Sequence, residues 1–225
     1  MNIVYAAAVP LALLILYNFL THASPHKHES TYLALAISLV LTSFLTDLVK
    51  NTVGRPRPDL LARCKPEPGT EPDTLVTFEI CTETNHHVLH DGWRSFPSGH
   101  SSFSFAGLGF LSLFAAGQLH VFRHDKGGRD LSRALLCLTP LIGAAMIAIS
   151  RCEDYRHDVY DVCAGSLLGF TVAYWSYRRH WPRLTSSRCD EPHPMPGAQG
   201  WGRVRDEESG VAGLHDVGFE MTELR

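Results

Sequence analysis

Almost no net charge remains on this 225-residue chain once 20 lysines and arginines are set against 23 aspartates and glutamates, a formal balance of -3. A polyanion-binding domain needs a basic excess, so nucleic acid is not an expected partner. None of the six cysteines is paired with another at CxxC spacing, so they do not read as a zinc site. No internal repeat recurs along the chain, which sets aside solenoid architectures. Nor does a basic stretch precede the first apolar run. Only Met1 and Asn2 stand before it, so residues 3–20 read as a retained span rather than a cleaved leader.

What the chain does have is apolar sequence in blocks. The bulk figure of 45% hydrophobic residues suits a soluble protein, but the runs 3–20, 31–49, 101–122, 131–149 and 158–177 are nearly unbroken. Each approaches the ~20 residues that a helix needs to cross ~30 Å of hydrocarbon. The runs lack a polar stripe, and no separate amphipathic helices are available to cover them. The expected fold is therefore all-α, a polytopic transmembrane bundle of five spans. A membrane-embedded domain covers residues 1–180, with the polar segment 51–100 as its large loop. Residues 181–225, with Pro192, Pro194, Pro196, Gly197 and Gly200 among mixed charges, read as a disordered tail.

Alternation of the spans puts Lys27, then Arg123, Lys126, Arg129 and Arg133, then Arg178, Arg179, Arg183 and Arg188 on one face. Short basic loops stay cytoplasmic, so the tail is cytoplasmic and 51–100 faces a lumen or the exterior. Arg55, Arg57 and Arg63 in that loop blunt the contrast. Cys64 and Cys81 also lie there. They are either two free thiols or a disulfide closing a loop of about 17 residues, worth roughly 3 kcal/mol in the chain-entropy model.

Three clusters fall at span ends on this same face. Lys50 and Arg57 leave the second span, Pro97-Ser98-Gly99-His100 opens the third, and Ser150-Arg151 leads through a short turn to His157 and Asp161. Arginines offer bidentate donors to a phosphate, and lysine adds a compact charge. Ser98 and Gly99 stand at a helix start, where unpaired N–H groups attract anions. His157 and Asp161, four residues apart, share a helix face, so the carboxylate can fix the imidazole tautomer and leave Nε2 as nucleophile. His100, on another helix, is placed to protonate a departing alkoxide. His86, His87 and His90 have no partner at informative spacing. Asp47 lies one helical turn from Lys50 and is expected to position it. Gly165 and Gly169 suggest close helix packing around the site in preference to dimerisation.

Taken together, these three clusters in this order resemble the full three-part signature of the type 2 phosphatidic acid phosphatase superfamily, which also holds vanadium haloperoxidases and bacterial acid phosphatases. The stretches 54–81 and 91–100 look most like the diacylglycerol pyrophosphate phosphatase branch. The resemblance implies that Lys50, Arg57, Ser98, Gly99 and Arg151 hold the phosphate. It makes His157 the phosphohistidine-forming nucleophile, His100 the acid and Asp161 the orienting carboxylate. It implies hydrolysis of phosphatidate, lysophosphatidate and diacylglycerol pyrophosphate with no metal ion and no cofactor. The partner is then a phospholipid substrate in an endomembrane (vacuolar or secretory-pathway) or the plasma membrane. Relatives of this type usually have six spans, and a missing first helix would account for the five counted. Competing readings are an inactive membrane scaffold of the same fold, a vanadate-dependent peroxidase and, with little support, a transporter.

Overall fold

The computed structural model describes residues 2–71, 77–123 and 130–194. Seven α-helices run in the order α1 (Asn2–Leu20), α2 (Pro25–Val53), α3 (Leu60–Cys64), α4 (His86–Gly92), α5 (Gly99–Gln118), α6 (Leu131–Glu153) and α7 (Val159–His180). A 3-10 turn, Phe78–Ile80, precedes α4, and no strand occurs among the described residues beyond one isolated bridge between Pro66 and Cys81. The all-α expectation stands. The five long helices coincide with the five apolar runs.

Local chemistry sets the helix ends. Ser24 caps α2 by accepting from Lys27 N–H, Pro25 fits the first turn, and Gly54 at φ 61° closes it in the left-handed region. This makes α2 begin earlier than the apolar run at residue 31. Asp158 and Asp161 form a reciprocal capping box at the start of α7.

The distribution of side chains is that of a protein solvated by hydrocarbon. Leu13, Leu16 and Phe19 on α1, Val40 and Phe44 on α2, Leu136, Ile142 and Met146 on α6, and Leu167 on α7 are all exposed. Buried between the helices are hydroxyls: Ser38 donates to Ala106 carbonyl at 3.0 Å, Ser112 to Cys137 carbonyl at 2.6 Å, and Ser176 to Ala34 carbonyl at 2.7 Å. An apolar exterior around a hydroxyl-lined interior suits lipid and would be an aggregation liability in water. By length and composition, α2 and α6 are the two described helices apolar enough to cross a membrane unaided. Helix α5 sits at the centre, packed against α1, α2, α6 and α7, and most of its Ser and Gly are buried against protein.

Close approach of α7 to α5 depends on two glycines. A Cβ at Gly165 would fall 2.5 Å from Ser98 carbonyl oxygen, and one at Gly169 only 2.0 Å from that of Ser102. The small-residue pattern thus serves packing within the chain.

One boundary is corrected. The expected disordered tail does not include residues 181–193, because Trp181 and Cys189 are fully buried. Trp181 stacks on Tyr177 with centroids 6.1 Å apart, and Lys27 Nζ lies 5.8 Å over its ring and donates to Asp190 carbonyl at 2.8 Å. Proline and glycine content suggested disorder, but the buried Trp181 and Cys189 and the Lys27 bond to Asp190 carbonyl hold this strap. The rest of the expected tail, from residue 195, lies outside the described residues.

At this end of α5, His120, Cys189 and Asp190 bring ligand-type atoms within 4.8 Å of one another. Tertiary contact assembles this group, which no local spacing announces. The thiol already donates to Gly117 carbonyl at 3.3 Å. In the polar segment, Cys64 and Cys81 are joined as a disulfide with Cα atoms 4.6 Å apart.

Candidate active site

The three clusters converge at the other end of α5. A cleft of about 360 Å³ is lined by Lys50 from α2, Arg57 from the following loop, Gly99 and His100 from α5, and His157 ahead of α7. Lys50 Nζ would be 3.4 Å from a Cβ placed on Gly99. The absence of a side chain at Gly99 lets the ammonium lie close against the start of α5.

His157 is buried, 4% exposed. Its Nε2 lies 3.1 Å from Arg57 Nη1. A guanidinium can only donate, so Nε2 is the acceptor and the ring proton sits on Nδ1. Nδ1 faces Ser95 Oγ at 3.4 Å and Asp161 Oδ2 at 3.6 Å. Burial first, then the charges of Arg57, Lys50 and His100, push the His157 pKa down to about 3. The imidazole is therefore neutral near pH 7, with its Nε2 lone pair toward Arg57 at the cleft.

The contact from Asp161 to His157 is longer than a direct hydrogen bond. Ser95 Oγ donates to Asp161 Oδ2 and stands between carboxylate and ring. Arg55 Nη1 holds Oδ1 at 2.8 Å, and Asp158 N–H donates to Oδ2 at 3.2 Å. Arg55 also pairs with Asp158 at 2.7 Å. Sequence reading missed Ser95 altogether and counted Arg55 only as a base that blurred the charge pattern. Position just ahead of Pro97 was the only available hint for Ser95.

Arg57 is pinned by Asp91, also unforeseen. Its Nε donates to Asp91 carbonyl at 2.8 Å and its Nη2 to Asp91 Oδ1 at 3.0 Å, while Nη1 also reaches Arg156 carbonyl at 3.1 Å. Asp91 Oδ2 accepts from Arg63 at 3.0 Å and Arg156 at 3.3 Å. Burial raises the Asp91 pKa, but Arg57, Arg63 and Arg156 outweigh it and hold the carboxyl below its usual range.

Two expected phosphate ligands stand differently from the reading. Ser98 is fully buried, and its N–H donates to Asp161 carbonyl at 2.9 Å. Its Oγ caps α5, accepting from Ser101 N–H and Ser101 Oγ. Its polar groups therefore tie α5 to α7, leaving Gly99 at the cleft surface. Arg151 is turned to Asp154 at 2.8 Å and to Ser150 Oγ at 3.0 Å, although its charge is still felt at His100. Asp47 lies 3.8 Å from Arg94 rather than in a bond to Lys50.

A helical membrane bundle with two histidines and a cluster of cations at one end defines a class of protein. Comparison with known proteins makes it specific: the model of the PAP2 superfamily matches residues 31–184, and the chain belongs to that superfamily. It is 42% identical over 202 residues to diacylglycerol pyrophosphate phosphatase 1 of Saccharomyces cerevisiae, covering 87% of this chain and 66% of that protein. It is 45% identical over 159 residues to a probable diacylglycerol pyrophosphate phosphatase 1 of Schizosaccharomyces pombe, covering 70% and 56%. Lipid phosphate phosphatase 2 of Arabidopsis thaliana is 34% identical over 228 residues, covering 97% and 73%. The chain thus spans less than two thirds of the length of the first two relatives. No solved structure gives a significant match.

Proposed function

We propose that the protein is a lipid phosphate phosphatase that hydrolyses phosphatidate, lysophosphatidate and diacylglycerol pyrophosphate through a phosphohistidine on His157, without a metal ion. The observation that carries this reading is the protonation geometry of His157. Its lone pair on Nε2 points into a cleft lined by Lys50 and Arg57, and its N–H is on the opposite side, toward Ser95 and Asp161. The names of the relatives supply the substrate class.

In this reading a phosphoryl group takes over the Arg57 Nη1 contact and frees Nε2 to attack. The N–P bond forms as the P–O bond to the lipid breaks, and His100 gives its proton to the departing oxygen. Water then attacks phosphorus, the N–P bond breaks, and its proton returns to His100. Inorganic phosphate leaves. Arg151 swings from the half-exposed Asp154 to the phosphate, and Asp161 acts on His157 through Ser95. The acyl chains lie along the exposed apolar faces of the helices. The disulfide between Cys64 and Cys81 favours an oxidising compartment for this end of the bundle, hence the lumenal or extracellular leaflet of an endomembrane or the plasma membrane.

Phosphate release from phosphatidate by purified protein in excess EDTA tests the proposal. Release that is lost in His157→Ala supports it. Release that requires added Mg²⁺, or persists in His157→Ala, overturns it. Halide oxidation in the presence of vanadate would instead select the peroxidase reading.

A further inference from the structure

One phosphoryl group needs the cations already named. The same cleft holds another guanidinium, Arg94, from the loop ahead of Pro97. Its nearest carboxylate is Asp47, with Nη2 and Oδ1 3.8 Å apart, too far for a hydrogen bond. Asp47 is 63% exposed, so solvent weakens the pair further. Arg94 Nε is buried and has no hydrogen-bond partner among the described residues. Buried donors are normally matched, and a guanidinium presents five of them in a fork suited to oxyanions. The neighbouring Asp47 belongs to α2, one turn before Lys50, which puts Arg94 on the α2 side of the cleft.

We propose that Arg94 is the residue that holds the second phosphate of a diphosphate monoester in this cleft. This rests on the phosphatase reading and refines it. With the terminal phosphoryl group at His157, the bond that breaks is the P–O bond of the anhydride. Its electron pair leaves on the bridging oxygen, which becomes part of the product monophosphate. Charge grows on that phosphate during the step, and Arg94 stands where it can offset it. Asp47, the carboxylate next to Arg94, competes with the second phosphate for the guanidinium.

Inhibition of phosphatidate hydrolysis by inorganic pyrophosphate and by orthophosphate, in micelles of uncharged detergent, tests this. In Arg94→Gln the inhibition constant for pyrophosphate should rise about tenfold, the size expected for one lost charge-assisted contact, while that for orthophosphate changes by less than about threefold. Asp47→Asn should move the pyrophosphate constant the other way. Equal weakening of both inhibitors puts Arg94 in the single-phosphate site and overturns the proposal, as does no change in either. A difference that emerges only when phosphatidylglycerol is added assigns Arg94 to a neighbouring lipid headgroup, and also overturns it. If Arg94→Gln fails to fold, Asp47→Asn decides, and unaltered pyrophosphate inhibition there refutes the inference. Failure of the phosphatase reading looks different: wild-type protein would release no phosphate at all.

Discussion

Replacing Ser95 with alanine removes one oxygen from a fully buried position and should slow turnover without spoiling substrate capture. The hydroxyl donates to Asp161 and faces the Nδ1–H of His157 at 3.4 Å, while the direct path from Nδ1 to Asp161 is 3.6 Å. In the proposed reaction the ring becomes cationic as Nε2 attacks phosphorus, and the hydroxyl and carboxylate would stabilise that charge. A hydrogen bond to a charged group is worth about 1.5–3 kcal/mol, and each ~1.4 kcal/mol is tenfold in rate. The Asp161 carboxylate 3.6 Å from Nδ1 survives the substitution, so the loss should fall at the low end, about tenfold in kcat. The assay is steady-state hydrolysis of phosphatidate in mixed micelles for Ser95→Ala and Ser95→Thr. The expected result is a drop in kcat with little change in KM for alanine, and recovery of most of it by threonine. A kcat for Ser95→Ala within twofold of wild type, or a loss confined to KM, would refute the reasoning.

Three further outcomes are expected. The first concerns stability against pH. The folded-state pKa of His157 is depressed to about 3, whereas an unfolded histidine titrates near ~6.5, so its linked stability is full above pH ~6.5 and declines as pH falls toward 3. One proton contributes at most about 1.4 kcal/mol per pH unit, so thermal melts of His157→Gln in detergent should show a flatter acid limb between pH 6.5 and 5, and equal slopes would count against a neutral buried imidazole. The second is that Asp154→Asn releases Arg151 from a half-exposed pair worth about 0.2–1 kcal/mol, so KM for phosphatidate should fall by at most about fivefold, and a rise would contradict the swing. The third is that Cys64→Ser abolishes a mobility shift on reduction and lowers stability by roughly 3 kcal/mol for this loop length, whereas an unchanged denaturation midpoint would show that the bridge constrains nothing.

How much of this was legible in the sequence follows from the range of the interactions. The long helices could be read because apolar runs of span length are a one-dimensional signal, and the ends of α2 were blurred only where Ser24 and Gly54 outrank hydropathy. Lys50, Arg57, Gly99, His100 and His157 could be nominated because each stands at a span end on the same face, and topology alone brings such ends together. Ser95, Asp91, Arg55 and Arg94 escaped because their meaning is tertiary: Asp91 reaches Arg57 across a separation of 34 residues, and Arg55 reaches Asp161 across 106. Ser98 misled for a similar reason. Its place before a helix suggested an anion ligand, yet Asp161 carbonyl and the cap of α5 claim its polar groups. The strap after α7 misled because composition averages cannot weigh tertiary contacts such as those of Trp181, Cys189 and Asp190.

Rapid quench of the protein with terminally labelled diacylglycerol pyrophosphate probes the heart of the account most directly. Alkaline quenching preserves phosphohistidine, and peptide mapping locates it. Label should appear on His157 within one turnover, chase away as phosphate is released, and be missing from His157→Ala. Label on any other side chain, or phosphate release from His157→Ala at the wild-type rate, would contradict it.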